Sequence, residues 1–152
     1  MGQYYLICNL DKKEYLHPHR FGAGLKAREW GFGVIPQALS ILLIDGDGRG
    51  GGDYNLPTLC GRWAGDRIVI SGDYADKGKF TDRIIPSIDY MKKITEDKEK
   101  PNSVEDVNLW DFALEDFHDI SKIVIDEYNA VYGDDPDSGL WKYKPRGNLQ
   151  GA

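Results

Sequence analysis

Cysteines, long apolar runs and a leader-like N-terminus are scarce or absent in this chain. Cys8 and Cys60 are the only cysteines among 152 residues, which argues against a disulfide framework and for a reducing compartment. No apolar run approaches the roughly 20 residues of a membrane span. The opening MGQYYLICNL has neither the basic segment nor the small-residue cleavage site of a secretory signal. We therefore expect a soluble, cytoplasmic protein with no membrane contact.

Recognisable catalytic signatures are also missing. The three histidines, His17, His19 and His118, have no neighbouring motif that would activate a nucleophile, and no signature surrounds either cysteine. No Lys-Ser or Lys-Thr pair closes the glycine-rich stretch of the chain, which excludes a P-loop. The sequence therefore leaves open whether the protein is an enzyme.

The composition that is present is typical of a globular domain. Hydrophobic residues make up 41% of the chain and aromatic residues 12%, and a chain of this length buries roughly 70% of the surface that its unfolded form exposes. No internal repeat or domain boundary divides it. We predict a single α+β domain over residues 1–152, with an antiparallel sheet built from hairpins and with helices packed on one face.

The net charge of −6 is concentrated in one segment. Residues 94–137 contain 14 acidic side chains and three lysines, an arrangement that would repel the phosphates of nucleic acid. We therefore expect no nucleic-acid partner. The segment is either a solvated helical face or the surface of an acidic decoy or inhibitor that acts through helices in residues 103–137.

Alternating apolar and polar residues predict two hairpins. Residues Gln3–Asn9 and Glu14–His17 alternate on either side of a polar turn, and Pro18 ends the second strand because it has no N–H to donate. Residues Leu59–Trp63 and Arg67–Ser71, joined by a short turn, form the second predicted hairpin. We expect both hairpins to share one sheet.

Helical spacing and capping signals predict the remaining elements. A short helix is predicted within Leu25–Trp30, and a second over Gln37–Ile44, for which a buried strand is the alternative. Ser103 caps a third helix, whose apolar stripe runs from Val107 to Phe117. A fourth is predicted over Ser121–Tyr132, and Gly133 ends it. Residues Leu140–Tyr143 are either a final strand or a tail that docks on the domain.

A glycine-rich stretch between two apolar runs is the most costly part of the chain to order. Five of the 18 glycines lie between Gly46 and Gly52, and glycine loses more backbone freedom on folding than any other residue. The GxGxxG spacing of dinucleotide sites is present, but no helical pattern follows it. We infer that the main chain here approaches a ligand closely. The structural alternative is a wide loop with glycines at positive φ.

An anion is the first ligand that suits this stretch. Successive N–H groups of Gly50, Gly51 and Gly52, together with the side chain of Arg49, would form a nest for a phosphate or nucleotide. Asp53 follows directly and would repel bare phosphate, but it suits a complex of nucleotide and metal.

A divalent cation is the second ligand that suits the glycine-rich stretch. Asp45, Asp47 and Asp53 stand at positions one, three and nine of a calcium-loop pattern. Arg49 occupies a ligand position, however, and Leu56 replaces the closing glutamate, so the pattern argues against a standard EF-hand. A looser site that uses the three carboxylates remains.

Polar residues of the second predicted hairpin form another candidate set. They are Arg62, Trp63, Asp66, Arg67 and Asp73, and all are expected at strand ends and turns near one edge. Bidentate pairs between arginine and aspartate stabilise turns well. The set is therefore either a structural lock or part of a ligand site.

His17 and His19 form an H-x-H pair at the end of a predicted strand. Residues two apart on a strand share one face, so both imidazoles could reach one metal ion. No third ligand is identifiable by spacing, and the alternative is that both histidines are surface or packing residues.

Three strings of residues resemble a known family. They are MGQYYLICNLDKKEYLHPHRFGAGLK at the N-terminus, GRGGGD at Gly48–Asp53 and GRWAGDRIVISGDY at Gly61–Tyr74. They are similar to a family of uncharacterised proteins from bacteria, archaea, viruses and fungi whose members begin close to MGQYY followed by NLDK. The resemblance covers about the first half of the chain, and it implies no activity.

These observations lead to a binding hypothesis and an enzymatic alternative. The first hypothesis is a binding or interaction protein that holds a small anionic ligand, such as a nucleotide or phosphate, or a protein partner at the glycine-rich stretch. The alternative is a metal-assisted hydrolase of a phosphorylated or nucleotide substrate, in which the three aspartates hold a divalent cation that activates water.

Overall fold

The computed structural model describes residues 3–45, 54–81, 107–134 and 140–145. Its strands there are β1 (Tyr5–Asn9), β2 (Glu14–Leu16), β3 (Ile68–Gly72) and β4 (His118–Asp119). Its helices are α1 (Ala27–Trp30), α2 (Val34–Leu43), α3 (Leu109–Asp116) and α4 (Ser121–Tyr132), and a 3₁₀ turn covers Pro18–Phe21. The predicted α+β class is confirmed. No helix in these ranges is long and apolar enough to cross a membrane.

The N-terminal hairpin forms where the sequence predicts it. β1 and β2 pair antiparallel, with Cys8 opposite Tyr15. The turn between them depends on Asn9, whose side-chain oxygen accepts hydrogen bonds from the backbone N–H groups of Asp11 and Lys12 at 2.9 and 2.8 Å. An asparagine that bonds the backbone two residues ahead is a common way to fix a turn. This hairpin is therefore specified locally.

The four strands form one sheet in the order β3-β1-β2-β4. β3 pairs antiparallel with β1, with Ile7 opposite Ile70. β4 pairs parallel with β2, so the sheet is mixed, whereas an antiparallel sheet was predicted. The parallel pair arises because the chain returns through α3 before it reaches β4, and parallel neighbours require such a crossover.

The prediction of a second hairpin is wrong, because only the second of its two strands forms. β3 is that strand, but residues 57–65 form consecutive turns. Two backbone bonds attach this segment to the end of α2: Gly61 N–H donates to the Ile41 carbonyl at 3.0 Å and Trp63 N–H to the Leu42 carbonyl at 2.8 Å. The carbonyls at a helix end need such partners, and Gly61 supplies the positive φ of 80° that the path requires.

The helices largely agree with their predictions. α2 is a helix and not a strand, and α4 ends before Gly133 as expected. α3 differs at its start, because Asn108 caps it by accepting a hydrogen bond from the Asp111 N–H at 2.9 Å. The predicted cap at Ser103 lies outside the described residues, and the described Val107 is not helical.

Two clusters of buried residues cover the two faces of the sheet. The first includes Ile7 with residues of α2 and α4, and the second includes Leu6 and Cys8 with residues of α3. The helices were predicted on one face. They lie on both because β1 is continuously apolar from Leu6 to Cys8, and such a run is typical of a strand buried on each side.

Residues 140–145 form a docked tail, one of the two predicted alternatives. The Trp141 ring stacks on Tyr128 of α4, with centroids 3.7 Å apart and planes 7° apart. Asn129 fixes the tail backbone, since its side chain accepts from the Trp141 N–H at 2.9 Å and donates to the Trp141 carbonyl at 2.6 Å. Only 5% of Trp141 is exposed, so this residue anchors the tail in the core.

Candidate functional site

The glycine-rich stretch lies outside the described residues, and with it Arg49, Gly50, Gly51, Gly52, Asp53 and Asp47. The structure does describe the residues that flank it. Asp45 is exposed on one side. On the other side, Tyr54 packs edge-on against Tyr132 of α4, with ring centroids 6.1 Å apart, and the Asn55 N–H donates to the Tyr132 hydroxyl at 2.7 Å. Ligand binding at this stretch stays a prediction.

The carboxylate of Glu14 is the centre of a buried polar cluster with Arg62 and Trp63. Arg62 donates to it from Nε at 3.2 Å and from Nη2 at 2.6 Å, and Trp63 donates from Nε1 at 2.8 Å. Burial alone would raise the pKa of Glu14, but these hydrogen bonds outweigh burial, so the pKa lies below its ordinary value. Sequence reasoning missed Glu14, although a charged residue at a buried strand position was a usable signal.

Asp11, Lys12, Asp66 and Arg67 join the turn of the first hairpin to the start of β3. Arg67 donates to one oxygen of Asp11 from Nε and Nη2 at 2.9 and 2.8 Å, while its N–H donates to the other oxygen at 2.7 Å. Asp66 accepts from Asn9 at 2.9 Å and pairs with Lys12 at 2.5 Å. These hydrogen bonds hold the pKa values of both aspartates below their ordinary range.

Asp73 lies at the opposite end of β3 from Arg67. Its carboxylate accepts a hydrogen bond from the Tyr4 N–H at 2.9 Å, and its own N–H donates to the Tyr4 carbonyl at 2.9 Å. Asp73 thus extends the β1–β3 ladder by one pair. Four of the five polar candidates, Arg62, Trp63, Asp66 and Arg67, thus lie together at one end of the sheet, and only Asp73 lies at the other. Each of the five makes a hydrogen bond to another segment of the same chain.

The predicted histidine pair lies beside the first turn after β2. The rings of His17 and His19 have centroids 6.4 Å apart, and His17 is fully buried while His19 is partly exposed. Among the described residues no three side chains of histidine, cysteine, aspartate or glutamate are grouped so that they could hold a metal ion. The carboxylate site of Asp45, Asp47 and Asp53 is not covered by that statement, because two of its members are not described.

A cleft that sequence reasoning did not identify opens beside His19. Its volume is about 370 Å³, and its lining residues are Tyr4, His19, Gly22, Ala23, Gly24, Leu25, Lys26, Glu29 and Lys144. We call it the basic cleft, because His19, Lys26 and Lys144 face it with a single carboxylate, Glu29. That carboxylate accepts a hydrogen bond from the Lys26 N–H at 3.1 Å. The cleft is therefore biased towards positive charge.

The docked tail brings Lys144 to the basic cleft. The Lys144 N–H donates to the Arg20 carbonyl at 2.8 Å, and the Arg20 side chain donates in return to the carbonyls of Lys144 and Pro145. Arg20 itself is held by Asp119 at 3.3 Å. The pKa of His19 lies below its ordinary value because of burial first and then because of the charges of Lys144 and Arg20. The tail thus places positive charge near the His19 ring.

No local pattern marks this cleft in the sequence. Its floor comes from the glycine-punctuated segment that follows the 3₁₀ turn, whereas Lys144 reaches it only because Trp141 is anchored on α4. Comparison of the chain with family models, with curated proteins and with solved structures found no match. The family resemblance therefore stays a prediction, and a functional proposal can rest only on the fold and on the basic cleft.

Proposed function

We propose that the protein is a binding protein for a small anion of the carboxylate or phosphate class, held in the basic cleft. The volume of about 370 Å³ supports the proposal, since small-molecule sites occupy roughly 300–1,000 Å³. The observation that carries it is the placement of three basic side chains, His19, Lys26 and Lys144, around one concave surface. They come from separate segments that the fold holds together.

The electrostatics of the cleft favour an anion over a cation. Burial lowers the pKa of His19 first, and the charges of Lys144 and Arg20 lower it further, so an anion near the ring would be attracted to those charges. By linkage, an anion that contacts the cleft raises the His19 pKa and binds more tightly when His19 is protonated. Affinity should therefore rise as the pH falls towards the pKa of His19 in the free protein, which lies below the ordinary histidine value of about 6.5.

The arginines proposed from sequence are less suited to this role than the basic cleft. Arg62 and Arg67 each make two hydrogen bonds to a carboxylate of the chain, and a ligand would have to compete with those bonds. Arg49 in the glycine-rich stretch remains the second candidate for the same class of ligand. The metal-assisted hydrolase and the acidic decoy have no comparable observation in their favour.

Titration with sulfate tests the proposal, because the charge of sulfate is constant over the histidine range. Binding would be measured by calorimetry and by the NMR signals of His19 in wild-type protein and in Lys26→Ala and Lys144→Ala. Arg28→Ala and Lys142→Ala are the matched controls, since both side chains are exposed near the cleft residues in sequence but do not line the cleft.

Each cleft variant should weaken sulfate binding by about two- to fivefold. Lys26 and Lys144 are exposed, exposed ion pairs contribute about 0–1 kcal/mol, and about 1.4 kcal/mol corresponds to a factor of ten. The controls should bind as the wild type does, and the His19 pKa should rise on saturation. Equal losses in the cleft variants and the controls would contradict the proposal. Loss in Arg49→Ala alone would transfer the site to the glycine-rich stretch.

A further inference from the structure

The outer edge of β3 has the features of a docking strand. In the order β3-β1-β2-β4, β3 has a neighbour on one side only within the described ranges. Its sequence from Ile68 to Gly72, IVISG, has no charge and no proline, which are the devices that usually protect an edge strand from pairing. Ile70, at the centre of the strand, is 50% exposed. The strand is therefore competent to pair with another chain.

The hydrogen bonds of the β1–β3 ladder define which groups of β3 face outward. Arg67 accepts from the Leu10 N–H at 2.9 Å, and Asp73 donates to the Tyr4 carbonyl at 2.9 Å, so the odd-numbered residues of β3 bond to β1. In an antiparallel ladder hydrogen-bonded and non-bonded pairs alternate. The N–H and C=O groups of Ile68 and Ile70 consequently point away from β1, towards the open edge.

The charges at the two ends of β3 select a second copy of this chain as the occupant. Arg67 and Asp73 each lie three residues from Ile70, on opposite sides. In a symmetric antiparallel pair centred on Ile70, Arg67 of each copy stands opposite Asp73 of the other. No other symmetric register of the strand places these two charges opposite each other. Arg67 would share its charge between Asp11, which it already bonds, and Asp73 of the second copy, and the 56% exposure of its side chain leaves it accessible.

We infer that the protein forms a symmetric dimer through β3, with Ile70 on the two-fold axis and Arg67 opposite Asp73 across it. The outward groups of Ile70 bond their counterparts, and the two four-stranded sheets become one continuous sheet. Such an interface is isologous, because the same patch serves both copies. The inference is independent of anion binding in the basic cleft.

Analytical ultracentrifugation of the full chain tests the association. The protein concentration should range from about 1 μM to about 1 mM, because this range covers the dissociation constants expected of a small interface. The wild type should show a concentration-dependent dimer. Ile70→Lys should raise the dissociation constant at least about tenfold, because a lysine at the strand centre blocks edge pairing. Ile123→Lys is the matched control: Ile123 is 40% exposed on α4, away from the edge, and this variant should dimerise as the wild type does.

A charge-exchange experiment tests the register. Arg67→Glu alone places like charges opposite each other, and so does Asp73→Lys alone, so each variant should dimerise less than the wild type. An equimolar mixture should form the heterodimer, since both charge pairs are then attractive. Circular dichroism of each variant checks that it is folded.

Four results would overturn the inference. One is a wild-type protein that stays monomeric up to about 1 mM; another is an Ile70→Lys variant that dimerises as well as Ile123→Lys. The third is a mixture of charge variants that gains no heterodimer. Slow amide exchange at Ile70 in dilute, monomeric protein would identify a segment of the same chain as the occupant and would also overturn it.

Discussion

Replacing Glu14 by glutamine separates a structural role of Arg62 from a ligand-binding role. Glu14 is 9% exposed, and its carboxylate accepts three hydrogen bonds, two from Arg62 and one from Trp63. Glu14→Gln keeps the shape and one acceptor oxygen but removes the charge and turns the other acceptor into a donor. The change therefore perturbs the cluster without opening a cavity.

The expected loss of stability follows from those three bonds. Hydrogen bonds to charged groups contribute about 1.5–3 kcal/mol and neutral ones about 0.5–1.5 kcal/mol. Losing the charge and one acceptor should lower the free energy of unfolding by about 2–3 kcal/mol, because the bonds share one carboxylate and are not additive. With a urea m-value of about 1–3 kcal/mol per M, the unfolding midpoint should fall by about 1 M.

Asp11→Asn is the matched control for this measurement. It makes the same chemical change in a carboxylate that also pairs with an arginine, but the side chains of Arg67 and Asp11 are 56% and 35% exposed, compared with 31% and 11% for Arg62 and Glu14. Exposed ion pairs contribute about 0–1 kcal/mol. Urea unfolding should therefore distinguish the two variants by at least about 1 kcal/mol.

The opposite result would refute the structural argument. If Arg62 serves a ligand, Glu14→Gln should leave the unfolding midpoint near that of Asp11→Asn, and it should tighten anion binding by releasing the guanidinium. A double-mutant cycle with Arg62→Gln supplies the coupling energy. We expect about 1–3 kcal/mol for residues in direct contact, and a coupling near zero would contradict the geometry.

The contribution of Glu14 should also depend on pH. The pKa of Glu14 is lowered by the fold, so the unfolded state binds a proton at a higher pH than the folded state does. The stabilisation is then fully present above the ordinary glutamate pKa of about 4.3 and is lost as the pH falls through the lower folded pKa. The difference in unfolding free energy between wild type and Glu14→Gln should shrink over that acid range. A constant difference would contradict the assignment.

Two further predictions concern the docked tail and the buried thiol. Trp141→Ala should lower the unfolding free energy by about 3–5 kcal/mol. It should also weaken sulfate binding, because the stack of Trp141 on Tyr128 positions Lys144. Leu140 is 59% exposed, so Leu140→Ala should change neither stability nor sulfate binding. Burial raises the pKa of the Cys8 thiol, so a thiol reagent should modify Cys8 only after unfolding. Rapid modification in native protein would contradict that burial.

The sequence predicted the elements whose signals are local. The first hairpin follows from an alternating pattern around a polar turn, and the structure shows Asn9 fixing that turn within three residues of itself. α4 follows from its apolar spacing and from Gly133 as its end. In each case the interactions that decide the conformation lie inside the segment, so a short window of sequence contains them.

The second hairpin was predicted wrongly because periodicity could not distinguish it from a turn packed on a helix. Leu59 and Trp63 are both fully buried, and a spacing of four residues fits a helical turn as well as it fits one face of a strand. Tertiary contacts determine the conformation of this segment, since the carbonyls of Ile41 and Leu42 at the end of α2 accept hydrogen bonds from the N–H groups of Gly61 and Trp63. Such partners are invisible in the segment itself.

The candidate site escaped prediction for a related reason. Glycine density measures how costly a backbone is to order, and it directed attention to the stretch around Arg49. The basic cleft instead depends on contacts between distant parts of the chain, since Arg20 bonds the Lys144 carbonyl across 124 residues. Because docking of the tail places Lys144 beside His19, the clustering of basic side chains in the cleft is a property of the fold, and no motif encodes it.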